Sequence, residues 1–320
     1  MMKRTVGLLH FFSLFMLKQM PENSFTLPSF AKINLFLRVF GKRADGFHEI
    51  CTIFQTVSLC DYLTFSEAQA ITLTCSDDKI PIDDENLIVK AAKVLRENYA
   101  VKKGAKIHLE KHIPAPGGLG GGSSNAAVAL LALVRLWNIT VSFEELRAIG
   151  KTLGSDVPFF FSGGTALGTG RGTEIFPLED FGENYILIAA LKIDISTGKA
   201  FARLSAPDLT NKSSKSILQI CRAEANSLYL RQTALTNDFE RVIFEIEPRI
   251  GKIKEKLFSC GAKRSLLSGS GASVFGIFET DEERRNALEL LQEENCRVFP
   301  VETISRLAYH NFLGFGKDFV

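Results

Sequence analysis

The chain has 320 residues, of which 46% are hydrophobic and 23% charged, so it can bury a sizeable core and has the length of two domains. Its 38 basic and 36 acidic residues give a net charge of +2 without a basic block, which argues against nucleic acid or a membrane surface as a partner. The six cysteines form no Cys-x-x-Cys pair and no cluster with the five histidines, which is typical of reduced thiols. We therefore expect a cytoplasmic protein with a small-molecule partner, and nothing indicates an obligate protein partner.

The first 22 residues differ from the rest of the chain. Lys3 and Arg4 precede an apolar run at 6–17 that is too short to span a bilayer, and no Ala-x-Ala cleavage site follows it. The four methionines of the protein all lie here: Met1, Met2, Met16 and Met20. We predict that residues 1–22 are an extension outside the fold and that Met20 is the natural start. A translated extension and a targeting segment are the alternatives.

The first predicted strand, at 30–40, alternates between two faces. The apolar face holds Ala31, Ile33, Leu35 and Leu37, and the other holds Lys32, Asn34, Phe36 and Arg38. Lys32 and Asn34 are therefore expected on the same face, about 7 Å apart.

A turn-rich loop at 41–49 follows. Four strands and one helix are predicted between this loop and a glycine-rich stretch at 117–122. The strands are expected at 50–58, 62–65, 70–75 and 105–110, and the helix at 85–99 with Asp84 as its cap.

Five glycines occupy the six positions 117–122, interrupted by Leu119, and an apolar helix is predicted directly after Ser123 and Ser124. The free N–H groups and the dipole of such a helix start favour phosphate. The stretch is not a Walker A loop, because Ser123 stands where the lysine must be, and no Gly-x-Gly-x-x-Gly pattern supports a dinucleotide site. A flexible loop ahead of a core helix is the alternative.

Ser142 and Glu145 form a capping box that opens a helix ending near Gly154. Asp156 then precedes Pro158, so its simplest role is to cap a short helix. Short strands are predicted around the glycines at 163–172, and an apolar strand at 185–191. We place a domain boundary near Phe181, which gives domains at 23–180 and 181–320.

The second half of the chain is predicted to be a small α+β sandwich. Its helices are expected at 214–230, at 238–259 with a break at Pro248, and at 281–293. Its strands are expected on both sides of a turn at 269–271, including one at 273–278, and at 297–303.

The stretch from Pro114 to Ser124 matches the Pro-x-x-x-Gly-Leu-Gly-x-x-x-Ser loop of the GHMP kinases, and from about Ser24 to its last strand the chain resembles that superfamily. The resemblance implies a two-domain α+β fold, in which an N-terminal domain like that of ribosomal protein S5 precedes a ferredoxin-like α/β sandwich. It also implies a kinase that uses ATP and Mg²⁺.

Four separated segments narrow the resemblance to one branch of the superfamily. They lie at 31–37, 43–48, 118–125 and 154–160, and a weaker fifth lies at 268–275. This branch phosphorylates the 2-hydroxyl of a methylerythritol that carries cytidine diphosphate, in the non-mevalonate route to isoprenoid precursors. A homoserine or mevalonate type of kinase and a non-catalytic nucleotide-binding relative are the alternatives, and the segment at 43–48 favours the cytidyl branch over other GHMP kinases.

The resemblance implies two catalytic residues. Asp156 matches the base that accepts the hydroxyl proton, and Lys32 matches the lysine that holds this carboxylate ionised and steadies the phosphoryl charge. Judged by spacing alone, a helix cap and a solvated lysine remain the simpler interpretations of these two residues.

The remaining implied contacts are to ATP and to the cytidyl substrate. The ATP phosphates are assigned to Pro114, Ala115, Pro116, Gly117, Gly118, Leu119, Gly120, Gly121, Gly122, Ser123 and Ser124, with either serine available to Mg²⁺. The substrate is assigned to Asn34, Phe47, His48 and Phe201. Phe47 replaces a family tyrosine, so it keeps the stacking face and loses the hydroxyl. The turn at 269–271 either flanks the substrate phosphates or is a plain hairpin.

Overall fold

A computed structural model describes residues 24–204, 206, 216, 219–223 and 235–314. Its first layer is a six-stranded sheet in which β1 pairs with β2 along its whole length. The other edge of β2 is shared, because β4 pairs with residues 62–68 and β5 with residues 52–55. The strands are β1 (Ser24–Lys42), β2 (His48–Ala68), β3 (Thr72–Cys75), β4 (Gly104–Glu110), β5 (Thr165–Thr169) and β6 (Glu174–Pro177). The two strands expected at 50–58 and 62–65 are thus one strand, because β1 pairs with β2 across the expected gap.

Four helices pack with this sheet: α1 (Leu87–Asn98), α2 (Gly121–Leu136), α3 (Phe143–Leu153) and α4 (Phe159–Ser162). Helix α2 is buried from Ser124 to Leu133, so it forms the centre of the first core. The capping box that opens α3 is confirmed. The cap predicted for α1 is wrong, because Asn86 rather than Asp84 accepts the hydrogen bond from the Ile88 amide. Asp84 pairs with Lys93 on the surface instead.

A β-bulge changes the predicted faces of β1. Asn34 pairs with Phe54 and Phe36 with Ile53, so Leu35 is an extra residue. Beyond a bulge the alternation reverses. Phe36 is therefore buried in the same core as Ile33, while Leu37 lies on the cleft side with Lys32 and Asn34. The prediction holds for Lys32 and Asn34 and is wrong for Phe36 and Leu37.

The second layer is an antiparallel sheet in the order β10, β7, β9, β8. Its strands are β7 (Ile186–Leu191), β8 (Arg264–Ser268), β9 (Ser273–Ile277) and β10 (Cys296–Val301), and its helices are α5 (Thr197–Arg203), α6 (Phe239–Ile246), α7 (Pro248–Ser259) and α8 (Asp281–Gln292). The predicted break at Pro248 is confirmed, because Glu247 leaves the helical conformation between α6 and α7. The helix predicted at 214–230 lies largely outside the described residues, as does the extension at 1–22.

One further helix, α9 (Arg306–Leu313), follows the second sheet and packs against the first core. Its Tyr309 is fully buried beside Phe30 and donates a 2.6 Å hydrogen bond to the carbonyl of Phe160. The end of the described chain thus packs against the first layer. The domain boundary near Phe181 stays a prediction. No helix in the described part of the chain is both long and apolar enough to cross a membrane.

Candidate active site

A cleft of about 860 Å³ lies between the two sheets. It is lined by the polar face of β1, the start of β2, the glycine loop, the turn after α3, helix α5 and the turn between β8 and β9. The predicted site residues on its wall are Lys32, Asn34, Phe47, His48, Pro116, Gly117, Gly118, Gly120, Asp156 and Phe201. The structure therefore brings residues from both halves of the chain into one cavity of ligand-binding size.

Lys32 is buried, with only 3% of its surface exposed. Its ammonium donates hydrogen bonds to Asn34 Oδ1 at 2.7 Å and to the carbonyl of Gly118 at 2.8 Å, and lies 3.4 Å from Asp156 Oδ2. A buried cation with three oxygen partners is held in place, so the interpretation as a solvated lysine is wrong.

The Asp156 carboxylate faces the cleft and is about one-third exposed. Helix α4 begins after Pro158 without a side-chain cap, so Asp156 does not serve as the cap that its spacing suggested. Only its backbone takes part in the turn, through the carbonyl that accepts from the Phe159 amide at 3.2 Å. The side chain is therefore free to meet a ligand beside Lys32.

Helix α2 begins within the glycine loop, four residues before the start predicted directly after Ser124. Gly120 is the N-cap with φ +71°, and the first helical residue is Gly121. A Cβ on Gly118, whose φ is +72°, would lie 2.1 Å from the carbonyl oxygen of Ser268. The loop thus needs glycine both for its backbone conformation and for its close approach to the second sheet. The Leu119 side chain is buried in the core, so only the backbone of this residue can face a phosphate.

The two serines at the start of α2 differ in their surroundings. Ser124 is fully buried, and its hydroxyl lies 2.7 Å from that of Ser29. Ser123 is partly exposed in the first helical turn. Only Ser123 is thus open to a ligand. No group of three or more histidine, cysteine or acidic side chains is arranged to hold a metal ion within the described ranges.

The far end of the cleft is aromatic. The rings of His48 and Phe201 stack with centroids 4.6 Å apart, and Phe201 meets Phe239 edge to face. Phe47 is half-exposed at the rim. Burial and the nearby charge of Lys42 both lower the pKa of His48 below its ordinary value, so the imidazole is neutral at physiological pH.

Arg171 is a site residue that the sequence analysis missed. Its guanidinium carbon lies 4.3 Å from the centre of the Phe47 ring, a cation–π contact at the rim of the cleft. Gly170 and Gly172 both have positive φ and place Arg171 at the tip of a turn. Glu49 accepts a 3.0 Å hydrogen bond from the Gly170 amide. An arginine between two glycines was the available signal, but only the fold shows that it meets Phe47.

This cleft and its loop define a small-molecule kinase of the GHMP superfamily. The chain matches "GHMP kinases N terminal domain" over residues 86–164 and "GHMP kinases C terminal" over residues 209–296. The fold class predicted from the sequence is thereby confirmed. A homoserine kinase from Cytophaga hutchinsonii has a TM-score of 0.66 over 90% of this chain and 96% of its own, at 17% identity, which shows a shared fold.

Closer relatives identify the family. The chain is 39% identical to a 4-diphosphocytidyl-2-C-methyl-D-erythritol kinase from Thermoanaerobacter pseudethanolicus, over 87% of this chain and 96% of the relative. The crystal structure of a 4-(cytidine 5'-diphospho)-2C-methyl-D-erythritol kinase has a TM-score of 0.71 and 30% identity, over 87% of this chain and 99% of that one. The protein belongs to the 4-diphosphocytidyl-2-C-methyl-D-erythritol kinase family.

Proposed function

We propose that the protein transfers the γ-phosphoryl group of ATP to the 2-hydroxyl of 4-diphosphocytidyl-2-C-methyl-D-erythritol. The names of the relatives describe kinases of this compound. The observation in this chain that carries the proposal is the Lys32 ammonium, which contacts both the carbonyl of Gly118 in the glycine loop and the carboxylate of Asp156. ATP bound at the glycine loop and a substrate hydroxyl bound at Asp156 would therefore both lie next to the Lys32 ammonium.

The glycine loop and the start of α2 bind the triphosphate. Backbone N–H groups from Gly117 to Ser123 and the positive end of the α2 dipole favour an anion at this point. Because phosphoryl transfer has a loose transition state, catalysis depends mainly on position and charge. The fixed contact between Lys32 and Gly118 holds one positive charge where the γ-phosphate would arrive.

Asp156 acts as the base in this proposal. Its carboxylate accepts the proton of the substrate hydroxyl as the oxygen attacks the γ-phosphorus and the bond to the ADP oxygen breaks. The adjacent ammonium stabilises the ionised carboxylate before the transfer. Asn34 positions the lysine, because its Oδ1 accepts from Lys32 and its Nδ2 donates to Thr52 Oγ1 at 2.7 Å.

The aromatic end of the cleft holds the cytosine. Phe47 offers a stacking face at the rim, and the neutral imidazole of His48 can both donate and accept a hydrogen bond to the base edge. Phe201 packs on one face of the His48 ring and supports its orientation.

Mg²⁺ fits this site as an ion shared with the triphosphate. The partly exposed Ser123 and the carboxylate of Asp156 are the available oxygen ligands, whereas Ser124 is engaged with Ser29. Mg²⁺ commonly takes one or two protein oxygens and completes its shell with phosphates and water. When bound, the ion would neutralise part of the negative charge on the phosphates.

The experiment is a coupled ADP-release assay on the full chain with ATP and Mg²⁺, in which the cytidyl compound is compared with mevalonate and homoserine. We expect turnover with the cytidyl compound alone. Turnover only with mevalonate or homoserine would overturn the substrate and keep the kinase chemistry. ATP binding without turnover of any of the three would indicate a non-catalytic relative.

A further inference from the structure

A second cavity, of about 390 Å³, has no lining residue in common with the cleft in the part of the chain that the structure describes. We call it the rear cavity, and it lies among α3, α4, β6 and α9. Its apolar wall consists of Val141, Phe143, Pro158, Phe161, Ile175 and Pro177. The volume falls at the lower end of the range of about 300–1,000 Å³ that is typical of small-ligand sites.

The polar part of the rear cavity is basic. Arg147, Arg306 and His310 line it, and none of its described lining residues is acidic. Within the described ranges Arg147 has neither an ion pair nor a hydrogen bond, although it is only partly exposed. The nearby Asp180 accepts hydrogen bonds from the backbone amides of Thr165 and Arg306 and is not part of the wall.

Arg306 is held in a fixed orientation at this wall. Its Nη2 donates to the carbonyls of Thr165 at 2.6 Å and Leu178 at 2.9 Å, while its Nε is buried and has no hydrogen-bond partner among the described residues. This fixed guanidinium and that of Arg147, which has no ion pair among the described residues, both line the cavity and make it positively charged, which favours an anionic ligand group.

We propose that the rear cavity binds an amphipathic anion, a single short apolar chain that ends in a phosphate or carboxylate. The guanidinium of Arg147 would pair with the anionic head, and the aromatic and aliphatic wall would cover the chain. Both parts of the ligand contribute to binding. A bare anion leaves the apolar wall exposed to water, and a neutral chain leaves Arg147 without an ion-pair partner.

Helix α4 connects the rear cavity to Asp156, the proposed base. Pro158, Phe161 and Ser162 form part of the wall, and the segment begins two residues after Asp156. Phe160 faces the other way, where its ring limits the space beside Gly120 of the glycine loop. An occupant of the rear cavity therefore contacts one side of α4, the helix that follows Asp156, while Phe160 on the other side of α4 contacts the glycine loop. Its binding thus changes turnover without occupying the cleft.

The test is calorimetric titration of octyl phosphate into the full chain, with the cleft filled by a non-hydrolysable ATP analogue. We expect one molecule to bind per chain, and inorganic phosphate and octanol to bind at least ~10-fold more weakly. Arg147→Gln should weaken octyl phosphate binding ~10-fold or more. Arg285→Gln is the matched control, because it removes the same charge from α8, where Arg285 pairs with Asp281 at 2.7 Å. Val141→Phe, which fills the cavity from a partly exposed position, should also reduce binding.

Unchanged affinity in the Arg147→Gln variant, or loss of octyl phosphate binding when the ATP analogue is present, would overturn the site. In the kinase assay, octyl phosphate should change kcat at saturating ATP, and the effect should disappear in Arg147→Gln. Intact binding with unchanged turnover would overturn the coupling to Asp156. The calorimetric result does not depend on turnover, so failure of the proposed function would be seen separately.

Discussion

The ammonium of Lys32 donates a 2.8 Å hydrogen bond to the carbonyl of Gly118. The same carbonyl accepts a 3.0 Å bond from the hydroxyl of Ser268, so it joins the first sheet, the phosphate loop and the second sheet. The position of Lys32 and the shape of the glycine loop are therefore set together, and a change at one residue is expected to disturb the other.

Gly118→Ala should lower kcat/KM for ATP by ~10-fold or more, equivalent to about 1.4 kcal/mol of transition-state stabilisation. The new Cβ would lie 2.1 Å from Ser268 O on a backbone with φ +72°, so the loop must move. Steady-state kinetics with varied ATP measures the loss. Gly182→Ala is the control, because its Cβ would meet no atom within 4 Å and its residue lies outside the cleft. Equal kinetics in the two variants would contradict this account of the loop.

Asp156→Asn should lower kcat by about 10²–10⁴-fold and leave ATP affinity nearly unchanged. The substitution removes the proposed base and keeps the volume beside Lys32, whose other two oxygen contacts remain. Turnover and the binding of a fluorescent ATP analogue are measured separately. Asp84→Asn, on the exposed pair with Lys93, is the matched control. A kcat near that of the unmodified protein would refute the assignment of Asp156 as the base.

Local signals predicted the parts of the site that lie on single elements. The alternation around Lys32 and Asn34 placed both residues on one face, and the glycines at 117–122 indicated a phosphate loop. The capping box at Ser142 set the start of the helix that ends just before Asp156. Each of these signals depends on neighbours within a few residues, so it can be read from one sequence.

The remaining features depend on contacts between distant segments. The bulge at Leu35 arises from the pairing of β1 with β2, and it moves Leu37 to the cleft and Phe36 to the core. The contact of Arg171 with Phe47 needs the turn after β5 to meet the loop before β2. The helix α9 is short, and most of its stability comes from burying Tyr309 against the first layer. Sequence periodicity carries none of this information.

The affinity for the cytidyl substrate should depend on pH through His48. Burial and Lys42 lower the pKa of this imidazole below its ordinary value of 6.5, so the neutral form predominates at neutral pH and is lost as the pH falls through the lowered pKa. KM for the substrate should thus be constant at neutral pH and rise in acid. Kinetics between pH 5 and pH 8 tests this, with His48→Gln as the variant that cannot titrate. The same acid rise in both proteins would mean that another group is responsible.

Asp61→Asn should destabilise the protein by about 3–5 kcal/mol, because it leaves the buried ammonium of Lys111 without its counter-charge. Asp61 is fully buried, and its carboxylate accepts from Lys111 at 2.9 Å and from the amides of His112 and Ile113 at 2.7 and 2.8 Å. Lys111, His112 and Ile113 lead directly into the glycine loop. Urea unfolding at constant m-value measures the change. The exposed Glu67, which pairs with Lys103 at 2.8 Å, supplies the control Glu67→Gln, with an expected cost below about 1 kcal/mol. If both substitutions cost the same, the buried pair does not anchor the segment that enters the loop.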